Sequence, residues 1–221
     1  ALDAAVYKDV EAFVDQFFAP GGVDEKMAAG WFQFMTEVVK FQPRKPERLL
    51  EDGEILDFGE TRVRVLHTPG HTPGHLSFHF LNENVIFMAD LDLVKFGPYY
   101  GDKASSIDDT ITSLKRLAEI DADTYLVSHG REGVLDGDPA HIERYLDVIY
   151  HREEKLLNFL ASGPKTIEAI TEHGIIYGGH TLASGAWDLS VSEMAMMIKH
   201  VERLEHLGRV AKEEGRYHLI S

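Results

Sequence analysis

A chain of 221 residues with 44% hydrophobic content can bury one sizeable core and a small second one. It has no cysteine, which excludes disulfides and thiolate metal sites and leaves imidazole, from 12 histidines, and carboxylate as the only strong metal ligands. A formal net charge of −15 disfavours a nucleic-acid partner, and with no long apolar run, signal segment or lipidation motif the expectation is a cytoplasmic protein without a membrane partner.

The opening stretch ALDAAVYKDVEAFVDQFF places Val6, Val10, Phe13, Val14, Phe17 and Phe18 at helical spacing before Pro20-Gly21-Gly22 stops it. A second helix is predicted from about Asp24 to Lys40, with Met27, Trp31, Met35 and Val38 or Val39 as its apolar stripe. After Pro43 and Pro46 the period changes: EILDFG, TRVRVLHT, HLSFHFL and NVIFMAD are short β-rich segments parted by Gly, Pro or Asn. A helix follows from Asp108 to Ile120, then DTYLVSHG as another buried strand, the order of an α/β layered domain. A long amphipathic helix from Pro139 to about Ser162 leads to Gly163-Pro164, which divides the chain into 1–162 and 163–221. The second part reads as a short helix (Thr166 to His173), a longer one (Ser190 to Leu207) and a hairpin of RVAKEE and RYHLI around Gly215, the outline of a small winged helix.

Three positions carry chemistry. HTPGHTPGH, from His67 to His75, sets histidines on a Gly/Pro-broken loop between two strands; metal binding and a turn with exposed histidines are both open readings. Asp90 ends the apolar strand VIFMAD, where a carboxylate is costly unless paired or bound to a cation, and His129 ends a similar strand before Gly130. Taken singly, Asp90 and His129 are each better read as a turn residue.

In that order the three resemble the metallo-β-lactamase superfamily, and DGEILDFGETRVRVLHTPGHTPGHLSFHF, VIFMADLDL and SLKRLAEIDADTYLVSHG look like the second half of such a domain. The resemblance is to glyoxalase II-like thioesterases and to β-lactamase-like hydrolases with an appended winged helix, and it covers about residues 50 to 221. It implies a partial αββα sandwich, with His71 binding one divalent metal, Asp90 bridging two and His129 binding the other. The metals are expected to be zinc, with iron or manganese as alternatives, since imidazole and carboxylate suit all three. The implied reaction is attack by a metal-bound hydroxide on a thioester or related small-molecule ester. Lys95, Tyr99 and Tyr100, in the loop after Asp90, are candidates for substrate contact. His67, His75 and His79 are not implied as ligands, and His75 and His79 share a face of their strand with Ser77 that is read as polar.

The family's His-x-His-x-Asp-His segment occurs nowhere in these residues, so the chain alone is expected to bind metal weakly or not at all and to be inactive. Ala89 stands where many relatives have Gly, which matters only if the backbone there needs positive φ. A nuclease or phosphodiesterase of the same fold is the alternative, weakened by 6 Lys or Arg against 8 Asp or Glu from Gly163 to Ser221. A non-catalytic binding or dimerising protein is the third reading, because Met194, Met196, Met197 and Ile198 on the long helix mark core or a homo-oligomer contact.

Overall fold

The structure, a computed structural model, describes residues 29–30, 32–40, 46–178 and 189–220. The helix expected over residues 6–18 lies outside them, as does the first part of the helix expected from Asp24. The described end of that second helix is a π-helical turn, Phe34–Val38, in which Met35 is half-buried and Val38 is exposed.

The centre is a six-stranded sheet in chain order: β1 (Ile55–Asp57), β2 (Arg62–His67), β3 (Leu76–Phe80), β4 (Val85–Phe87), β5 (Thr124–Leu126) and β6 (Val134–Asp136). All neighbours pair antiparallel except β4 and β5, which run parallel across the helix α1 (Ile107–Ala118). That exception places the site. The loop after β2, the turn after β4 and the loop after β5 all leave the sheet at one end, so His71, Asp90 and His129 share an edge. The edge strand β6 is an addition to the sequence reading; its three residues are too few to leave a period.

Alternation along the strands has an outcome opposite to the one expected for β3. Ser77, Ile86 and Tyr125 are completely buried on one face, packed with Leu66 under Leu114 and Leu117 of α1 and under Ile142 and Tyr145 of α2 (Ala140–Leu160). His75 and His79 are buried with Ser77, so the face read as polar is a buried one, on the side of the sheet that the helices cover. The apolar face holds Val63 and Val65, which are buried, and Phe78, Phe80, Val85 and Phe87, which are only half-buried.

Helix α1 starts where Ser106 Oγ accepts from the Asp109 amide at 3.1 Å, with Asp108 and Asp109 in its first turn and Lys115 and Arg116 in its last, each matched to the helix dipole. Helix α2 buries Ile142, Tyr145, Ile149, Leu156 and Leu160 on one stripe. Its first half serves the sheet core; Leu156 and Leu160 join the core of the C-terminal part, so apolar packing crosses the division expected at Gly163. Beyond it lie α3 (Ile167–His173), α4 (Leu189–His206) and the hairpin β7 (Val210–Glu213) and β8 (Arg216–Leu219). Glu214 and Gly215, both at positive φ, form the two-residue turn that such a hairpin requires. Met196 and Met197 of α4 are completely buried in the chain's own cores.

Candidate metal centre

The loop carrying His71 is clamped onto the start of α1. Carbonyls of three successive residues, Pro69, Gly70 and His71, accept from Ser113 Oγ, the Ser106 amide and Ser105 Oγ at 2.7, 2.8 and 2.7 Å. Gly70, at φ 140°, lies so close to Thr110 that a β-carbon there would stand 2.6 Å from its backbone nitrogen and Cα, whereas one at Gly74 would meet nothing within 4 Å. Only the first glycine of the repeated Thr-Pro-Gly is therefore required by packing.

His71 Nδ1 lies 3.0 Å from the Tyr99 carbonyl. A carbonyl can only accept, so Nδ1 carries the proton and Nε2 is left with its lone pair free for the site. That Nε2 faces Asp90 Oδ2 at 3.9 Å, while His129 Nε2 faces the other oxygen, Oδ1, at 3.3 Å. One carboxylate thus presents a different oxygen to each of two imidazoles. Its side chain is 44% exposed, open to a ligand or substrate.

Asp90 and His129 are held from behind. The Asp90 amide donates to His75 Nε2 at 3.2 Å, so this ring is protonated on Nδ1, which donates to Thr68 Oγ1 at 2.9 Å; Thr68 in turn has its hydroxyl proton for Ser77 Oγ at 3.0 Å. Burial, and secondarily the nearby His71, push His75 below the usual imidazole range and keep it neutral. Asp92 Oδ1 accepts from the His129 amide at 3.1 Å, and burial raises its carboxyl against the opposing pull of His129. Sequence reasoning passed over His75 as a polar-face residue; its place in the histidine loop was the available signal. The backbone at Ala89 does need positive φ, 51°, so the alanine there sits in a left-handed turn that glycine would occupy without strain.

The substrate-contact candidates part company. Lys95 is exposed. Tyr99 is half-buried with its ring 6.0 Å from that of His71, and burial aided by Asp102 pushes its hydroxyl up to about 12. Tyr100 has no exposed surface: its hydroxyl accepts from Arg152 Nη1 at 2.8 Å and donates to His200 Nε2 at 2.7 Å.

Residues 8–129 match the family model of the metallo-beta-lactamase superfamily, more than half of the chain. The chain belongs to the metallo-beta-lactamase superfamily. The α/β fold with its mixed sheet agrees: it superposes on a metallo-beta-lactamase family protein from Thermus thermophilus with a TM-score of 0.71 at 26% identity, covering 98% of this chain and 68% of that one. A beta-lactamase domain protein from Burkholderia ambifaria shares the fold at a TM-score of 0.68 and 19% identity, over 89% of this chain and 59% of its own. An acyl-coenzyme A thioesterase from Gallus gallus is 29% identical over 82 residues, 35% of this chain and 28% of its own length. An atrochrysone carboxyl ACP thioesterase from Pseudocercospora fijiensis is 28% identical over 127 residues, 56% of this chain and 35% of its own. The chain thus spans about a third of the curated relatives it matches.

Metallo-beta-lactamase superfamily members bind divalent metals, and the donors here fit that role: two imidazoles with their Nε2 atoms turned to one carboxylate, and a carbonyl behind His71 fixing its tautomer. The fit is to part of a site. Among the described residues no group of three or more His, Cys, Asp or Glu is arranged to enclose a metal, so His71 with Asp90, and Asp90 with His129, each offer two ligands where catalytic zinc uses three.

Proposed function

We propose that this chain is the metal-bridging portion of a superfamily hydrolase that acts on a thioester or related small-molecule ester. The observation that carries the reading is Asp90, with one oxygen toward His71 and the other toward His129, an arrangement that would suit a carboxylate shared by two cations. Two thioesterases among the relatives favour the thioester class.

Divalent ions, zinc first among the candidates, would supply a bound water of near-neutral pKa and polarisation of the carbonyl under attack. His71 and His129 would hold one ion each and Asp90 both. His75 keeps the Asp90 backbone in place through its amide, and Asp92 does the same for His129. Tyr99 and Lys95 lie in the loop that follows Asp90, from which they would line the approach of an acyl substrate. The substrate is a small molecule rather than a nucleic acid, in keeping with the acidic chain. The C-terminal helices and hairpin form, in this reading, a winged helix used for packing. No described helix is long and apolar enough to cross a membrane.

The test is hydrolysis of a panel of acyl-thioesters by the full-length protein loaded with stoichiometric zinc, beside Asp90→Asn. Turnover that Asp90→Asn abolishes is expected; a loaded wild type that cleaves no thioester or ester refutes the assignment. The isolated 221 residues are expected to show no turnover, because each cation would find only two ligands among the described residues.

A further inference from the structure

We propose that His200, on the C-terminal helix α4, is a positioning residue for His71: by anchoring the Tyr100 hydroxyl it fixes the Tyr99–Tyr100 peptide whose carbonyl orients the His71 imidazole. The inference rests on the reading of His71 as a metal ligand only for its purpose, not for its geometry.

The loop between Asp90 and α1 has no regular structure of its own, yet it is pinned from beneath at several atoms. Arg152, buried in α2, donates to the carbonyls of Phe96 and Pro98 at 2.6 and 2.8 Å and to the Tyr100 hydroxyl at 2.8 Å. With its oxygen accepting from Arg152, the Tyr100 hydroxyl sends its proton to His200 Nε2, 2.7 Å away, and His200 has no solvent exposure. The other ring nitrogen, Nδ1, makes no hydrogen bond among the described residues but lies 3.5 Å from Glu153 Oε1, which Arg203 Nη1 engages at 2.6 Å; the nearby carboxylate favours the proton on Nδ1, so the hydrogen bonds run from Arg152 to Tyr100 and from Tyr100 to His200.

The Tyr99 carbonyl and the Tyr100 amide belong to one planar unit, so the Cα positions of Tyr99 and Tyr100 set its axis and leave that carbonyl only rotation about the axis. Locking the Tyr100 ring by two hydrogen bonds locks one end of the unit; the His71 Nδ1–H reads the other at 3.0 Å. None of these hydrogen bonds involves Asp90 or His129. The C-terminal part of the chain, on this view, sets which nitrogen of His71 is available to the site.

The test is long-range 1H–15N correlation NMR of the histidines in the full chain, which reports the tautomer of each ring. Wild type should show His71 protonated at Nδ1. In Tyr100→Phe, which removes both hydrogen bonds while keeping the ring, and in His200→Leu, the Nδ1 resonance should move from the protonated toward the unprotonated range; His200→Gln, whose amide oxygen can still accept from Tyr100, should restore it. Zinc titration of the wild-type full-length protein, not of these 221 residues alone, runs alongside. A His71 tautomer unchanged in folded Tyr100→Phe overturns the inference whether or not zinc binds, and if His200→Leu fails to fold, restoration by His200→Gln against loss in Tyr100→Phe still decides the role of His200. A changed tautomer with no zinc response at His71 or His129 upholds the positioning role and removes the metal reading instead.

Discussion

Replacing Gly70 with alanine should be among the most destabilising single-methyl additions in this protein. The new β-carbon would lie 2.6 Å from the backbone nitrogen and Cα of Thr110, about 0.8 Å inside the 3.4 Å at which ordinary contact begins, and neither atom can rotate away. Retreat is blocked as well, because Ser105, Ser106 and Ser113 tie the loop to the same helix. Overpacking of this kind costs about 1–3 kcal/mol, and an L-residue at φ 140° adds about 1–3 kcal/mol, for a total of about 4 kcal/mol. For a chain of this size that is a fall of about 8–16 °C in Tm. Gly74→Ala is the internal control: with no neighbour within 4 Å and no positive φ it should change stability by less than about 1 kcal/mol, in either direction. Both are read by thermal and urea denaturation followed by circular dichroism. A Gly70→Ala midpoint within about 2 °C of Gly74→Ala would refute the reasoning.

Ala89→Gly should stabilise by about 0–1.5 kcal/mol, the relief of a left-handed alanine less the entropy of an added glycine, and a lowered urea midpoint would contradict it. His75→Phe removes the acceptor for the Asp90 amide and should weaken zinc binding by the full-length protein about 10–100-fold in equilibrium dialysis, as loss of a supporting residue does; unchanged affinity would remove its role. The pH dependence of His200 has a definite sign. Burial holds it below 6.5 even though Glu153 beside it pulls upward, with Tyr100, Arg152 and Arg203 as the other groups around it, so the unfolded chain binds its proton more readily than the native one. Wild type should therefore lose stability relative to His200→Gln as pH falls through 6.5, while the difference stays constant above about pH 7.5. Urea titrations across that range check it, and a gap that does not move with pH refutes it.

The sheet was legible because β2 to β5 carry dense β-branched and aromatic runs between Gly, Pro and Asn, whereas the grouping of His71, Asp90 and His129 was legible only through the resemblance to the metallo-β-lactamase superfamily. The burial of β3 was not legible. Leu76, Phe78 and Phe80 are the apolar set, and a period of two says which residues share a face but not which face the helices cover. His75 is buried with both ring nitrogens hydrogen-bonded, to Thr68 and the Asp90 amide, and His79 with Nε2 bonded to Asn84 while its Nδ1 has no partner among the described residues; a period of two reveals none of these partners. Tyr100 looked like a cleft residue for the same reason, since its partners Arg152 and His200 lie 52 and 100 residues further on. The distinction between Gly70 and Gly74 was hidden by the repeat itself.

The parallel pairing of β4 with β5 has a kinetic meaning. Strands β1 to β4 form a meander in which each pairs with its neighbour, so that half of the sheet can assemble through short-range contacts. Joining β5 to β4 requires the intervening chain to form and dock α1 first, a costly closure that comes late. His71 and Asp90 sit on the early side of that step and His129 on the late side. During refolding, Asp90 should be in place before His129 arrives, while the His71 ring waits for Arg152 of α2 and His200 of α4 to settle the Tyr99–Tyr100 segment, so ion capture would report the last stage of folding rather than the first.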